Sequence, residues 1–98
     1  MKMSDLRANA RNERWYVYLL ECRDGSYYCG ITNNLERRVT DHNEGRGAKY
    51  TRGRCPVKLL EAVVLPSRSE ALKHEAAVKK QQKAKKLEFL KSKGFTGK

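Results

Sequence analysis

The sequence predicts an α+β fold whose elements run strand, strand, helix, strand, helix, and three features point to it. Two runs dense in aromatic and β-branched residues, 15–22 and 27–31, flank the turn-forming Arg23-Asp24-Gly25-Ser26, which reads as an antiparallel hairpin. Apolar residues at helical spacing begin at Leu35, directly after Asn33 and Asn34, either of which can cap a helix. A third strand-like run, 57–65, ends at Pro66, and the capping box Ser67-Arg68-Ser69-Glu70 then opens a second helix.

The hairpin turn has two readings. Side chains alternate along a strand, so a two-residue Asp24-Gly25 loop puts Tyr18 and Tyr28 on opposite faces. A three-residue Arg23-Asp24-Gly25 loop, with Gly25 left-handed in a bulge, puts them on one face. The first helix is expected from Leu35 to about His42, with Gly45 where it stops. Residues 43–54 form a glycine-rich basic loop in which Gly45, Gly47 and Gly53 sit among Arg46, Lys49, Arg52, Arg54 and Tyr50. The second helix is expected to reach at least Gln82, with Leu87, Phe89 and Leu90 adding an amphipathic turn or two. Residues 1–13 have no apolar period and read as a loosely ordered leader with room for a short helix over 5–11. A folded domain over 14–92 and a frayed basic tail over 93–98 are therefore expected.

Ninety-eight residues suffice for one domain and exclude a second enzymatic one. The chain carries 22 Lys and Arg against 11 Asp and Glu, a net charge of +11, and eight of the Lys with a single Glu fall in residues 79–98. That excess points to a polyanionic partner, most often nucleic acid. No apolar run approaches the ~18 residues of a membrane span, and the N-terminus lacks a signal-peptide core. A cytoplasmic protein without a membrane partner is expected. Cys22, Cys29 and Cys55 are odd in number and show no C-x-x-C spacing, which argues against a zinc site or disulfide framework and suits a reducing compartment.

Polar residues on apolar faces carry the functional signal. On a helical projection Leu35, Arg38, Val39 and His42 share a stripe about 100° wide, so Arg38 and His42 face inward or along a cleft. Either Arg38 pairs with an internal acid and His42 with backbone, or the two serve a site. The second helix projects Ala71, Leu72, Ala76 and Val78 to one side with Glu75 among them, and sends His74 toward solvent. A carboxylate in such a stripe must be paired or bind a cation, because burying it alone is too costly. An Arg38–Glu75 ion pair meets that demand, and so does a metal-binding Glu75 beside a phosphate-binding Arg38. Tyr16, Tyr18, Tyr27 and Tyr28 are good strand formers, so their number alone decides nothing. The loop cations are either solvated surface or, where glycines expose backbone N–H groups, a phosphate-binding face.

Taken together, Tyr16-Val17-Tyr18, nine intervening residues, Tyr28-Cys29-Gly30, Arg38 ten residues after Tyr28 and Glu75 on a late helix resemble the GIY-YIG nuclease family. The resemblance covers about residues 15–91 and looks closest to small single-domain bacterial members, the YhbQ/YazA-like group. It implies a three-stranded antiparallel sheet flanked by helices in the order β-β-α-(α)-β-α. Tyr18 matches the tyrosine ending the first triplet, and Tyr28 and the structural Gly30 match the second. Arg38 matches the helix arginine, Glu75 the single metal-binding glutamate, and His42 falls where members have histidine or tyrosine. Tyr16 stands in place of the first-triplet glycine, and Ile31 replaces a lysine of the repair-nuclease branch. The family site needs both tyrosines on one face, which selects the three-residue turn.

The resemblance further implies phosphodiester hydrolysis with one divalent ion, Mg²⁺ or Mn²⁺, on Glu75. Arg38 would neutralise charge on the non-bridging oxygens, and Tyr18, Tyr28 or His42 would take the proton of the attacking water. A tyrosine, ordinarily near pKa ~10, does so near neutrality only where cations favour its phenolate, a service expected of Arg38 and the metal. Tyr18, Tyr28, Arg38 and Glu75 are expected to converge on one concave surface with His42 at its edge. Arg46, Lys49, Tyr50, Arg52 and Arg54 would hold DNA through phosphates, giving an endo- or exonuclease of low sequence specificity in repair or processing. Stacking on tyrosines would favour single-stranded or structured DNA. The alternative is a basic nucleic-acid-binding protein with a weak or unused nuclease site. No protein partner is implied.

Overall fold

The computed structural model describes residues 14–92, so the expected leader over 1–13 with its helix over 5–11, and the expected tail over 93–98, lie outside the described residues. Strands β1 (Trp15–Glu21) and β2 (Tyr27–Thr32) precede helix α1 (Leu35–Asn43), a single 3₁₀ turn (Lys49–Thr51), strand β3 (Lys58–Leu65) and helices α2 (Arg68–Lys79) and α3 (Lys83–Lys91). The strands form one antiparallel sheet in the order β2-β1-β3. This is the expected α+β architecture. None of the described helices is long and apolar enough to cross a membrane.

Antiparallel sheets commonly leave one face to water and then read as alternating apolar and polar residues. β1 does not alternate, because it is central and covered on both sides: Val17, Tyr18, Leu19 and Leu20 are all 0–1% exposed. Val17 and Leu19 join Cys29, Val63 and Leu65 beneath Ala71, Val78 and Leu90 of the two later helices. Tyr18 and Leu20 point the other way, toward Cys22, Val57, Tyr28 and the Leu35 and Val39 side chains of α1. The β1–β3 register shifts between Leu19 and Leu20, which face Glu61 and Leu59, so Leu60 is the extra residue of a bulge.

Three expectations for the C-terminal half are corrected. First, α2 stops at Lys79 instead of reaching Gln82, and the extended Gln82 (φ −64°, ψ 152°) opens a separate helix. The break lets α3 fold back and bury Leu90 completely, where a continuous helix would carry it into solvent. The Lys86 ammonium donates to the Val78 and Lys79 carbonyls (3.3 and 3.0 Å), adding a second donor at Val78, which already accepts the Gln81 N–H, and pinning α3 to the end of α2. Second, the buried stripe of α2 is Ala71, His74 and Val78, while Leu72 is 39% exposed and Ala76 is also exposed. Third, His74 is not in solvent. It is 4% exposed, its Nε2–H donates to the Leu90 carbonyl (3.0 Å), and its ring stacks on Phe89. A helical projection ranks faces by hydropathy, and it missed that α3 covers the His74 side.

Candidate functional site

The hairpin closes through the three-residue loop. Cys22 N–H donates to the Ser26 carbonyl (2.8 Å) around Arg23, Asp24 and Gly25, and Gly25 takes φ +86°. In the resulting register Tyr28 lies opposite Leu20 and Gly30 opposite Tyr18, so both tyrosines share one face, with ring centroids 6.3 Å apart. Gly30 leaves the space that Tyr18 needs, since a Cβ there would sit 2.6 Å from the Tyr18 hydroxyl oxygen.

Helix α1 brings His42 into this pair. Asn34 is the N-cap, accepting the Arg37 N–H (3.2 Å), and that phase turns Leu35, Arg38, Val39 and His42 toward the sheet. The sequence places His42 at the edge of the site; in the structure it lies at the centre, fully buried, with its ring centroid 5.8 Å from Tyr18 and 5.2 Å from Tyr28. The bulk of two facing tyrosines leaves the space beneath them to the end of the helix. His42 Nε2 is 2.9 Å from the Tyr18 hydroxyl, and Nδ1 is 2.8 Å from Oγ1 of the fully buried Thr51. Gly47 packs against the imidazole so tightly that no Cβ fits.

Burial sets the protonation states. It pushes the Tyr18 phenol up to about 12 against the opposing pull of the neighbouring Arg38, and it also raises Tyr28, against Lys79 and Arg38. Burial, helped by the Arg38 charge, brings His42 down to about 4. The expectation that Arg38 would favour a Tyr18 phenolate is thus overturned in the protein alone: desolvation outweighs it. A neutral phenol faces a neutral imidazole at physiological pH.

Glu75 approaches from α2. No Arg38–Glu75 ion pair forms; the Glu75 carboxylate, 17% exposed, meets the half-exposed Lys79 at 3.2 Å. Lys79 in turn lies 6.0 Å from the Tyr28 ring centroid, and the Glu75 charge is close enough to raise both Tyr28 and Cys29, second to desolvation at the latter. A pocket of ≈ 350 Å³ opens between Tyr27, Tyr28, Cys29, Tyr50, Lys79 and Lys86. A larger groove, ≈ 660 Å³ between Tyr16, Asn34, Leu35 and Val39, is lined by none of the clustered polar residues. Among the described residues no three His, Cys, Asp or Glu gather as a metal cage. A lone, partly exposed carboxylate instead suits an ion such as Mg²⁺ that keeps most of its waters.

The basic loop divides. Arg46 is tied to Asp41 and Glu44, and Arg54 to Asp24 (2.9 Å) and the Tyr50 carbonyl (2.7 Å), with its guanidinium 4.2 Å from the Tyr50 ring centroid. Lys49 and Arg52 are exposed, and Tyr50, 41% exposed, stacks on Tyr28. Sequence reasoning did not single out Thr51 or Lys79, and it read Gly47 only as one of the loop glycines that expose backbone N–H groups to phosphate, not as the residue packed on His42.

Comparison with known proteins accords with this arrangement. The family model described as the GIY-YIG catalytic domain matches residues 14–88. A "UPF0213 protein" of Nitratidesulfovibrio vulgaris is 53% identical over 79 residues, covering 81% of this chain and 72% of that protein. One of Streptococcus pneumoniae serotype 4 is 53% identical over 75 residues, covering 76% of each. The solution NMR structure of a UPF0213 protein from Bacillus halodurans is 46% identical with a TM-score of 0.50, over 83% of this chain and 86% of that one. That of a protein from E. faecalis is 48% identical with a TM-score of 0.57, over 81% and 84%. None of these names states an activity. With its two tyrosines on one face of the hairpin, Gly30 between them, and a family match that spans the sheet and the first two helices and reaches into α3, the chain belongs to the GIY-YIG family of nuclease domains, among its small bacterial UPF0213 members.

Proposed function

We propose that this protein hydrolyses phosphodiester bonds in DNA with one divalent ion, Mg²⁺ or Mn²⁺, and little sequence specificity. The observation that carries the reading is the buried Tyr18–His42 hydrogen bond, flanked by Arg38 and Tyr28, with the Glu75 charge close enough to act on Tyr28. Glu75 would hold the ion, which would offset charge on the scissile phosphate. Its present partner Lys79 is 52% exposed, and such a pair is worth little, so exchanging Lys79 for the ion is cheap. Arg38 offers its planar fork to the non-bridging oxygens. Tyr18 takes the proton of the attacking water while passing its own hydroxyl proton to His42 Nε2, so neither group need ionise beforehand. Water oxygen bonds to phosphorus, the bond to the leaving oxygen breaks, that oxygen takes a proton from a solvent water, and the proton held by His42 returns through Tyr18 to the hydroxide so formed. Tyr28, half-buried above Tyr18, shields the relay from bulk water.

Lys49, Arg52, Arg46 and Arg54 contact phosphates, which read no sequence. Tyr50 and the tyrosine-lined pocket take an unpaired base, favouring single-stranded or structured DNA and a role in processing or repair in the cytoplasm. Two observations favour the alternative, a nucleic-acid-binding protein with an unused site: Tyr18 is only 1% exposed, and Glu75 is occupied by Lys79. Incubation with single-stranded DNA, duplex DNA and RNA, each with Mg²⁺ or EDTA, separates the two. Cleavage of DNA that needs Mg²⁺ and vanishes in Glu75→Ala supports the nuclease; binding without cleavage refutes it.

A further inference from the structure

The imidazole of His42 can relay a proton from Tyr18 only if Nε2 carries a lone pair, and something must hold it in that tautomer. We propose that Thr51 is the positioning residue, its Oγ1 accepting the His42 Nδ1–H and so aiming the Nε2 lone pair at the Tyr18 hydroxyl. The inference deepens the phosphodiesterase reading above and rests on it. Counting donors assigns the hydrogens. Thr51 Oγ1 lies 2.9 Å from the Ala48 carbonyl, an acceptor only, so the threonine hydroxyl donates there and has only lone pairs left for His42 Nδ1 at 2.8 Å. Nδ1 therefore bears the proton, and Nε2 accepts from Tyr18 at 2.9 Å. The reverse arrangement would turn the Thr51 proton from Ala48 to Nδ1 and have Nε2–H donate to Tyr18. That would leave the hydroxyl proton of Tyr18, 1% exposed, in competition with the Arg38 donor beside it. All three side chains are essentially buried, and every buried side-chain donor and acceptor among the described residues is paired, so water does not rescue that alternative.

The threonine is itself held. Its amide donates to the Ala48 carbonyl (3.0 Å), its carbonyl accepts the Arg54 N–H (3.0 Å), and Cys55 Sγ donates to the His42 carbonyl (2.9 Å) from the same loop. A β-branched side chain there has a stiff χ1, so Oγ1 stays on the ring nitrogen.

His74 supplies an internal reference. Its Nε2 donates to the Leu90 carbonyl, so the two histidines of the chain should show opposite neutral tautomers. Long-range ¹H–¹⁵N NMR of the full chain reads this without substrate. Wild type is expected to show one Nδ1–H and one Nε2–H histidine. Thr51→Val should lose the Nδ1–H signal and Thr51→Ser should keep it. In Mg²⁺-dependent cleavage of single-stranded DNA, Thr51→Val should lower kcat by about 10²-fold or more with KM nearly unchanged, and Thr51→Ser should restore it. Two Nε2–H histidines in the wild type, or a Thr51→Val protein that keeps the Nδ1–H tautomer or the wild-type kcat, would overturn the assignment. Wild-type protein that cleaves nothing would refute the nuclease reading and with it the catalytic purpose of Thr51, whereas the NMR result separately decides the tautomer.

Discussion

Acidification should weaken the fold through His42, in a pH window that the structure defines. In the unfolded chain this histidine takes up a proton near its ordinary pKa of 6.5; in the fold, burial and Arg38 delay uptake to about 4. Between those values the unfolded state binds the extra proton, so stability falls as pH falls, beginning near 6.5 and levelling off below about 4. Across this window each pH unit removes about 1.4 kcal/mol, so the full loss is roughly 3 kcal/mol, a large part of a small domain's stability. The side chain is 0% exposed, so solvent does not screen this contribution. Urea titrations of wild type and His42→Gln, from about pH 7.5 to about pH 4, measure it. Other groups titrate in both proteins, so the difference between the two curves isolates His42. Asp24 does not confuse the window: hydrogen bonds from Ser26, then Arg54, hold its carboxyl down to about 2, so its contribution is lost only as pH falls from about 3.8. Parallel pH dependences for the two proteins would refute the reasoning.

Four further outcomes are expected. Gly30→Ala places a methyl against the Tyr18 ring and hydroxyl, which have nowhere to move, and thermal melting should register a loss of about 1–3 kcal/mol; an unchanged Tm would contradict the packing described. Glu75→Gln should abolish Mg²⁺-dependent cleavage while changing stability by no more than about 1 kcal/mol, because only the surface partner Lys79 is lost; wild-type turnover would refute the role of Glu75. Leu90→Ala should cost about 2–5 kcal/mol by chemical denaturation, and a change near zero would mean that α3 is not part of the core. Replacing both Lys49 and Arg52 by Gln should lower the slope of log affinity against log salt by about 1.4–1.8 in DNA-binding titrations; an unchanged slope would place the DNA elsewhere.

The hairpin and the first helix were legible in the sequence because short-range chemistry determines them. Aromatic strands around Asp24-Gly25, an Asn cap and a capping Ser67 each act within a few residues, and each appears where expected. The register that puts Tyr18 beside Tyr28 was not fixed by local pattern, since two turn lengths suited it; the resemblance chose correctly. What stayed hidden depends on contacts across the chain. His74 looked exposed until α3 covered it, the end of α2 was set by the need to bury Leu90, and Thr51 became visible only once the basic loop folded onto His42. Pairing choices were equally opaque, because Arg38, Lys79 and Glu75 offered several charge partners and only the fold determined which of them met.

His42 is the one fully buried side chain of α1; the helix otherwise rests on the partly buried Leu35, Arg38 and Val39. The hydrogen bonds that orient the imidazole toward Tyr18 therefore also fasten this helix to the sheet. A descendant that had abandoned chemistry would still need a histidine there, or an equally well-paired replacement, to keep the helix docked. Selection for folding alone would then preserve much of the apparent active-site signature, so a retained His42 in a relative does not by itself distinguish a working nuclease from a retired one. Glu75 makes the better witness: its carboxylate is a luxury to the fold, and drift should erase it first once cleavage no longer matters.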